Sequence, residues 1–176
     1  MLYLILIKYI NSNTIVQLII NGIGKQKILS NNFEKPQEIY VNWEIQDNRE
    51  YYNLTESETN ITMKWYNELT NLSNMVSNLN NITKIDFLNI NLSTIDISTI
   101  CGISTLISLN LNNFVIISGS SNDIIDIFPG FTSLLSLNLN NFSITSEFDN
   151  HLQYMFLGCS SLISLNLNNF SITGVN

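Results

Sequence analysis

The sequence has few charged residues, which make up 12% of its composition, and it contains one histidine, two cysteines and two prolines. No lysine or arginine follows Lys84, and the formal net charge is -7. Nucleic acids and anionic membrane surfaces are bound through clustered cations that replace phosphate counterions. We therefore expect neither a nucleic-acid partner nor an anionic membrane surface.

Catalytic patterns are also missing. The sequence shows no Ser-His-Asp order, no glycine-rich phosphate loop and no carboxylate pair with a recognisable spacing. The single histidine, His151, has no second nitrogen or sulfur ligand near it in the sequence, which makes a poor metal site. Asp123 and Asp126 lack the spacing of a calcium loop, and a helix-capping role suits them better. We expect no enzyme activity, no metal and no cofactor.

No apolar run reaches the roughly 18 residues that a membrane-spanning helix requires. The apolar stretch at residues 2–7 is interrupted by Lys8, and it lacks both the positive start and the cleavage site of a signal peptide. We interpret it as a buried first strand or as a start inside a longer gene. We expect no membrane span in this chain.

What the sequence does contain is a repeat. LISLNLNNF occurs at residues 106–114 and again at 162–170, and LLSLNLNNF occurs at 134–142. The first leucines of these copies, Leu106, Leu134 and Leu162, are equally spaced, and a weaker copy, ITKIDFLNI, begins slightly closer to the first of them, at Ile82. Four copies exceed the minimum of about three that a stacked repeat fold needs.

Each copy reads L-x-x-L-x-L-x-x-F, in which Leu109 and Leu111 face one side of a strand while Ser108 and Asn110 face the other. One copy cannot bury its leucines alone, but stacked copies bury them against each other. The pattern predicts a leucine-rich-repeat solenoid over residues 68–176, with parallel strands on the concave face and short helices or irregular crossings on the convex side. Helical stretches are expected near 68–79 and 146–156, and the segment SSNDIIDIFPG offers Asn122 or Asp123 as a helix cap and Pro129 with Gly130 as a stop. The candidate binding residues on the concave face are Lys84, Asp86, Ser108, Asn110, Asn112, Ser136, Asn138, Asn140, Ser164, Asn166 and Asn168.

Residues 1–67 read differently, because TIVQLII, EIYVNWEI and NITMKW are runs of β-branched and aromatic residues. We predict a small β-rich unit there that caps the N-terminal end of the solenoid, since natural solenoid ends are capped.

The stretch MFLGCSSLISLNLNNFSITGV, at 155–175, resembles the repeats of the BspA-like leucine-rich-repeat surface proteins, which read M-F-x-x-C-S-S-L-x-S-L-x-L-S-N-F-x-T-S-x-V. The resemblance covers residues 72–176. It implies a cell-surface or secreted protein that adheres to other proteins or to host matrix without catalysis. The second and third copies depart from the motif, with TICGI at 99–103 and IFPGF at 127–131, and no surface anchor is visible.

The two cysteines occupy copies two rungs apart, which places them roughly 10 Å from each other. Disulfides need Cα atoms within about 7 Å, so we predict that Cys101 and Cys159 are free thiols. Cys159 stands at the family's core cysteine position and is expected to be a small buried apolar residue.

Asparagines that begin N-x-S/T sequons permit glycosylation without implying it, because the chain is rich in Asn, Ser and Thr and chance alone gives a similar number. They are Asn53, Asn60, Asn71, Asn81, Asn91, Asn141 and Asn169.

Three hypotheses about function remain open. The first is a binding module whose concave face contacts a protein or a glycan. The second is a structural spacer, which the near-identity of the outward residues favours. The third is a fragment of a longer repeat protein, since the sequence stops where the next crossing would begin, and such an open end is expected to favour edge-to-edge self-association.

Overall fold

The computed structural model describes residues 14–30, 33–67, 69, 72, 75–76, 79, 81–88, 103–118, 128, 130–146 and 154–174. Within these ranges the chain forms β-strands and no helix. The N-terminal strands are β1 (Thr14–Asn21), β2 (Gly24–Gln26), β3 (Glu38–Val41), β4 (Glu44–Gln46), β5 (Tyr52–Leu54) and β6 (Glu58–Trp65). The following strands are β7 (Ile82–Leu88), β8 (Ser108–Asn110), β9 (Val115–Ser118), β10 (Ser136–Asn138), β11 (Ser143–Ser146), β12 (Ser164–Asn166) and β13 (Ser171–Gly174).

The fold is β-rich and is built around one mixed sheet of eight strands in the order β12-β10-β8-β7-β1-β6-β3-β4. The four strands of the repeat copies, β7, β8, β10 and β12, pair in parallel. Strand β1 then pairs antiparallel with β7, and the remaining pairs are antiparallel as well. Strands from both sides of the predicted boundary, at residues 67 and 68, therefore belong to the same sheet.

Strict alternation of apolar and polar residues explains why β1 and β6 are strands. Val16, Leu18 and Ile20 of β1 are buried, and Ile61 and Met63 of β6 face the same side of the sheet. A single cluster of buried apolar residues extends from these strands into the repeats. The N-terminal segment thus packs on the same core as the repeat copies, at the edge of β7 where a cap was predicted.

The repeat copies lie side by side in the predicted alignment. Leu137 pairs with Leu109 on one side and with Leu165 on the other, in agreement with the equal spacing of the three copies. The weaker copy also follows its predicted, shorter offset, because Ile85 pairs with Leu109. These positions form a continuous row on the core side of the sheet.

A second sheet lies one turn further along each copy, in the order β13-β11-β9, and it is also parallel. Ile144 pairs with Ile116 and Ile172, and the rings of Phe142 and Phe170 stack with centroids 5.8 Å apart. The sequence analysis expected helices or irregular crossings after each copy and did not predict these strands. The predicted helices lie mostly outside the described residues, and residues 75–76 and 154–156, which fall within their predicted ranges, form turns.

The stretch EIYVNWEI is not one run but two short strands, β3 and β4, joined by a two-residue turn at Asn42 and Trp43. Both turn residues have positive φ, of 46° and 73°. This is the geometry of the tight turns whose twist matches that of an antiparallel hairpin. The composition of the stretch concealed the turn, because neither glycine nor proline marks it.

The last repeat copy is exposed where the preceding copies are buried. Leu165 and Leu167 are 39% and 43% exposed, whereas Leu137 and Leu139 are 1% and 0% exposed. Among the described residues, β12 is one of the two edge strands of the eight-stranded sheet, and β13 is an edge strand of the second sheet. No described residue covers the apolar side chains of this copy as fully as this copy covers those of the preceding one.

Candidate binding face

The side of the large sheet opposite the core carries two rows of side chains, which we call the outward face. Cross-strand pairing places one residue of every strand in the first row. The first row consists of Ile45, Tyr40, Thr62, Gln17, Asp86, Asn110, Asn138 and Asn166. The second row consists of Asn60, Ile19, Lys84, Ser108, Ser136 and Ser164.

Most of the predicted binding residues thus do share one face. Lys84, Asp86 and the serines and first asparagines of the three copies lie in the two rows, and most of them are half-buried. Asn112, Asn140 and Asn168 do not, because they lie in the turns that follow β8, β10 and β12. The face also includes residues of β1, β3, β4 and β6, which the sequence analysis assigned to the cap.

Asparagines of neighbouring copies are joined by hydrogen bonds between their side chains, an arrangement that we call the Asn ladder. Asn138 donates from Nδ2 to Oδ1 of Asn110 at 2.8 Å, and Asn110 donates to Oδ1 of Asp86 at 2.7 Å. An ionised carboxylate accepts hydrogen bonds and donates none. Asp86 therefore fits the end of the Asn ladder in the first repeat copy, where it accepts the bond from Asn110 and donates none.

The turn asparagines repeat the same arrangement. Asn140 donates to Asn112 at 2.7 Å, and Asn141 donates to Asn113 at 2.9 Å. Asn113, Asn141 and Asn169 also have positive φ, between 52° and 64°, a conformation that asparagine tolerates better than most residues. Stacking explains why asparagine recurs at these positions, because an amide can both donate and accept, as Asn141 does by donating to Asn113 and accepting from Asn169.

A shallow pocket of about 40 Å³ opens on the outward face where the N-terminal strands meet the first repeat copy. Its walls come from β1, β6, β7 and the β3–β4 turn, so it combines residues from both predicted segments. The lining residues are Gln17, Leu18, Ile19, Trp43, Asn60, Ile61, Thr62, Lys84 and Asp86. We call it the Trp43 pocket.

Trp43 forms one wall of this pocket and is 73% exposed. A bulky residue with positive φ is rare, and the left-handed conformation costs roughly 1–2 kcal/mol for a residue with a side chain. Asn42 holds the turn in place, since its N–H donates to the Asn60 carbonyl at 2.8 Å and its side chain accepts from the Asn60 N–H at 2.9 Å. The turn thus displays an indole beside a polar pocket.

Four residues of the pocket were not predicted as site residues from the sequence: Trp43, Gln17, Asn60 and Thr62. The one available signal was the pair Asn42-Trp43 between two β-forming stretches, because asparagine favours the first position of such a turn. The other three are ordinary outward residues of strands, and only the pairing of β1 with β7 brings them to Lys84 and Asp86.

A group of polar side chains lies further along the same face, around Glu38 of β3. The Glu38 carboxylate accepts hydrogen bonds from Tyr40 at 2.6 Å and from Tyr66, and Lys64 Nζ lies 3.2 Å away. These bonds, chiefly that from Tyr40, lower the pKa of Glu38 from 4.5 to about 2. We call this group the Glu38 cluster, and its mutual bonds show a structural role at the sheet surface.

Cys159 is a free thiol that is half-buried rather than fully buried, and its Sγ lies 3.4 Å from the Phe128 carbonyl oxygen. Burial raises the pKa of this thiol, which disfavours the nucleophilic thiolate. Cys101, His151, Asp123 and Asp126 lie outside the described residues, as do the sequons at Asn71 and Asn91. Of the described sequon asparagines, Asn53, Asn81, Asn141 and Asn169 are exposed and Asn60 lines the pocket.

In the described ranges, no three His, Cys, Asp or Glu residues are grouped closely enough to hold a metal ion. Nor do those ranges contain a helix that is long and apolar enough to cross a membrane. Comparison with known protein families, curated proteins and solved structures finds no match for this chain.

Proposed function

We propose that this chain is a leucine-rich-repeat solenoid with a β-rich N-terminal cap, from a BspA-like surface or secreted adhesion protein. Its function would be to bind a protein or a glycan through the outward face, without catalysis. The in-register, parallel stacking of the L-x-x-L-x-L-x-x-F copies supports the repeat assignment. The location at the cell surface follows from the resemblance of the repeat motif alone.

One observation carries the binding role. The two charged residues predicted for the binding face, Lys84 and Asp86, line a pocket together with an exposed tryptophan from the N-terminal segment. Exposed aromatic side chains beside polar groups are typical of recognition sites. The part of the outward face that the repeat copies form is uniform, because its asparagines bond to one another. Selective recognition is therefore best placed at the pocket end of the face.

The binding role is tested by reversing one charge on the face and one elsewhere. Lys84→Glu changes the pocket, whereas Lys35→Glu makes the same change at an exposed position that does not line the pocket. Both folded variants are compared with the unmodified chain for capture on a panel of immobilised matrix proteins and glycans. We expect Lys84→Glu alone to lose capture. Equal capture by all three proteins would exclude a binding role for this part of the face.

The structural spacer is the second candidate, and the Asn ladder favours it. A residue that satisfies its hydrogen bonds within the stack has less capacity to contact a partner, as is the case for Asn110. A spacer predicts that no panel member is captured by the unmodified chain. The same measurement therefore separates the two candidates.

A further inference from the structure

Trp43 occupies a position that the fold gives no reason to fill with tryptophan. The Asn42-Trp43 turn requires positive φ at both residues, and glycine meets that requirement at its second position most easily. The Trp43 side chain is 73% exposed, so little burial offsets the unfavourable backbone conformation. An indole held in this way is better explained by contact with a ligand than by folding.

The chemistry of the pocket points to a ligand rich in hydroxyl groups. Gln17 and Asn60 offer amides, and Thr62 offers a hydroxyl, so each can donate and accept hydrogen bonds. Within the pocket Gln17 and Thr62 are joined only by a long bond of 3.4 Å, which leaves them available to a ligand. A sugar hydroxyl is likewise donor and acceptor, and it matches such groups better than an apolar side chain does.

The size of the pocket limits what enters it. A volume of about 40 Å³ exceeds the roughly 10–15 Å³ that one water needs, but it is far smaller than a drug-sized cleft of at least about 300 Å³. A whole ring does not fit inside, whereas a hydroxymethyl or hydroxyl substituent does. The ring itself would lie against the Trp43 wall, where its C–H groups contact an aromatic surface.

Charge favours an uncharged ligand. Lys84 and Asp86 both line the pocket, so their formal charges cancel, and the chain as a whole carries a net charge of -7. The Asp86 carboxylate is fixed at this site by the 2.7 Å bond from Asn110, and it would repel an acidic sugar. Lys84 is left to donate to a ligand oxygen, since no ion pair or side-chain hydrogen bond of Lys84 occurs among the described residues.

We propose that the Trp43 pocket binds one pyranose ring of a neutral glycan, with the ring against Trp43 and a hydroxyl substituent directed between Gln17, Thr62 and Asp86. This inference rests on the proposed binding function and names the ligand class of that site. The chain carries a spectroscopic reporter for it, because Trp43 is exposed and the second tryptophan, Trp65, is 0% exposed.

The test is a titration of the full chain with glucose, galactose, mannose, N-acetylglucosamine and their β-linked disaccharides, followed by indole fluorescence and by acrylamide quenching. At least one sugar is expected to give a saturable change near millimolar concentration and to shield Trp43 from quenching. Glucuronic acid is the acidic comparison and is expected to bind more weakly than glucose. No saturable change with any neutral sugar, or a preference for glucuronic acid, would overturn the proposal.

Three variants, one of them a control, assign the signal to the pocket. Trp43→Gly is expected to abolish sugar binding, as measured by calorimetry, and to unfold at higher urea concentration because glycine accepts the positive φ. Thr62→Val is expected to weaken binding about tenfold, whereas Thr145→Val, at an exposed position of β11 outside the pocket, is expected to leave binding unchanged. Full binding by Trp43→Gly would refute the assignment. If no sugar binds but Lys84→Glu still abolishes capture of an immobilised protein, the glycan inference fails while the proposed function stands.

Discussion

Leu139 and Leu167 occupy the same place in two identical stretches, SLNLNNFSIT at 136–145 and at 164–173. Leu139 is 0% exposed and Leu167 is 43% exposed, because the copy at 164–173 covers the first and no described residue covers the second to the same degree. Replacing either leucine by alanine removes the same atoms from the same local sequence. Any difference in the cost therefore measures the stacking of one copy on the next.

The magnitude follows from the burial. A fully buried Leu→Ala change costs about 2–5 kcal/mol, which combines lost transfer free energy with the cavity that remains. Leu139 lies between two copies, so its cavity is closed and we expect about 3 kcal/mol. Leu167 already has much of its surface in water and leaves an open notch, so we expect about 1 kcal/mol, since burial contributes roughly 0.8 kcal/mol per methylene.

The assay is urea denaturation of the unmodified chain, Leu139→Ala and Leu167→Ala at low protein concentration, followed by fluorescence and circular dichroism. The free energy of unfolding should fall at least twice as far for Leu139→Ala as for Leu167→Ala. Costs that agree within about 0.5 kcal/mol, the usual limit for independent sites, would refute stacking as the source of stability. Phe142→Leu and Phe170→Leu form a second matched pair with stacked rings, and the same order is expected.

Three further predictions concern the sheet surface, the turns and the exposed last copy. Because the folded-state pKa of Glu38 is lowered from 4.5 to about 2, its cluster stabilises the fold above pH 4.5 and loses that contribution as pH falls towards 2. Glu38→Gln should therefore flatten the decline of unfolding free energy over that interval, and an unchanged slope would contradict the role of the cluster. Asn141→Ala should be less stable than Asn141→Gly by about 1 kcal/mol in thermal or urea unfolding, because φ is 52° there and both variants lose the amide bonds. Equal stability of the two variants would remove the backbone explanation for asparagine. The exposed strand β12 with its apolar residues predicts concentration-dependent self-association of this chain in light scattering, reduced by Leu167→Glu. A monodisperse monomer at all concentrations would disprove it.

Much of the repeat region was predictable because its signal is local. The alternation of Leu109 and Leu111 with Ser108 and Asn110 assigns each side chain to a face of a strand before any contact is known. The equal spacing of the copies then predicts their alignment, which the pairing of Leu137 with Leu109 confirms. Few other alignments of the copies would bury the apolar residues of each copy against those of the next.

The turn between β3 and β4 and the strands of the second sheet were not predicted, because their formation depends on contacts that are distant in the sequence. EIYVNWEI has strand formers on both sides of the turn, and Asn42 is the only signal in it that separates β3 from β4. The turn exists because Asn42 and the strand β3 pair with β6, which is distant from them along the chain. Strands β9, β11 and β13 were missed for a related reason, since short segments such as SITS form strands only beside matching neighbours.

In the candidate site too, the local features were predictable from the sequence and the non-local contacts were not. The sequence predicted that Lys84 and Asp86 face outward, but their partners in the pocket come from residues 17, 43 and 60–62. The Asn ladder was likewise invisible as a set of bonds, because each bond joins side chains of different copies that are far apart in the sequence. Without those bonds, a row of identical asparagines reads equally well as a binding face or as a stacking device.

The sequence by itself determined which residues of each strand face the core and which face outward, because a strand alternates its side chains regardless of its neighbours. It also determined the spacing of the repeat copies, because the same residues recur along the chain at equal intervals. The tertiary structure alone decided that β1 lies antiparallel against β7. That choice depends on non-local hydrogen bonds and a shared core, and it brings Trp43, Gln17 and Thr62 to the first repeat copy and creates the pocket.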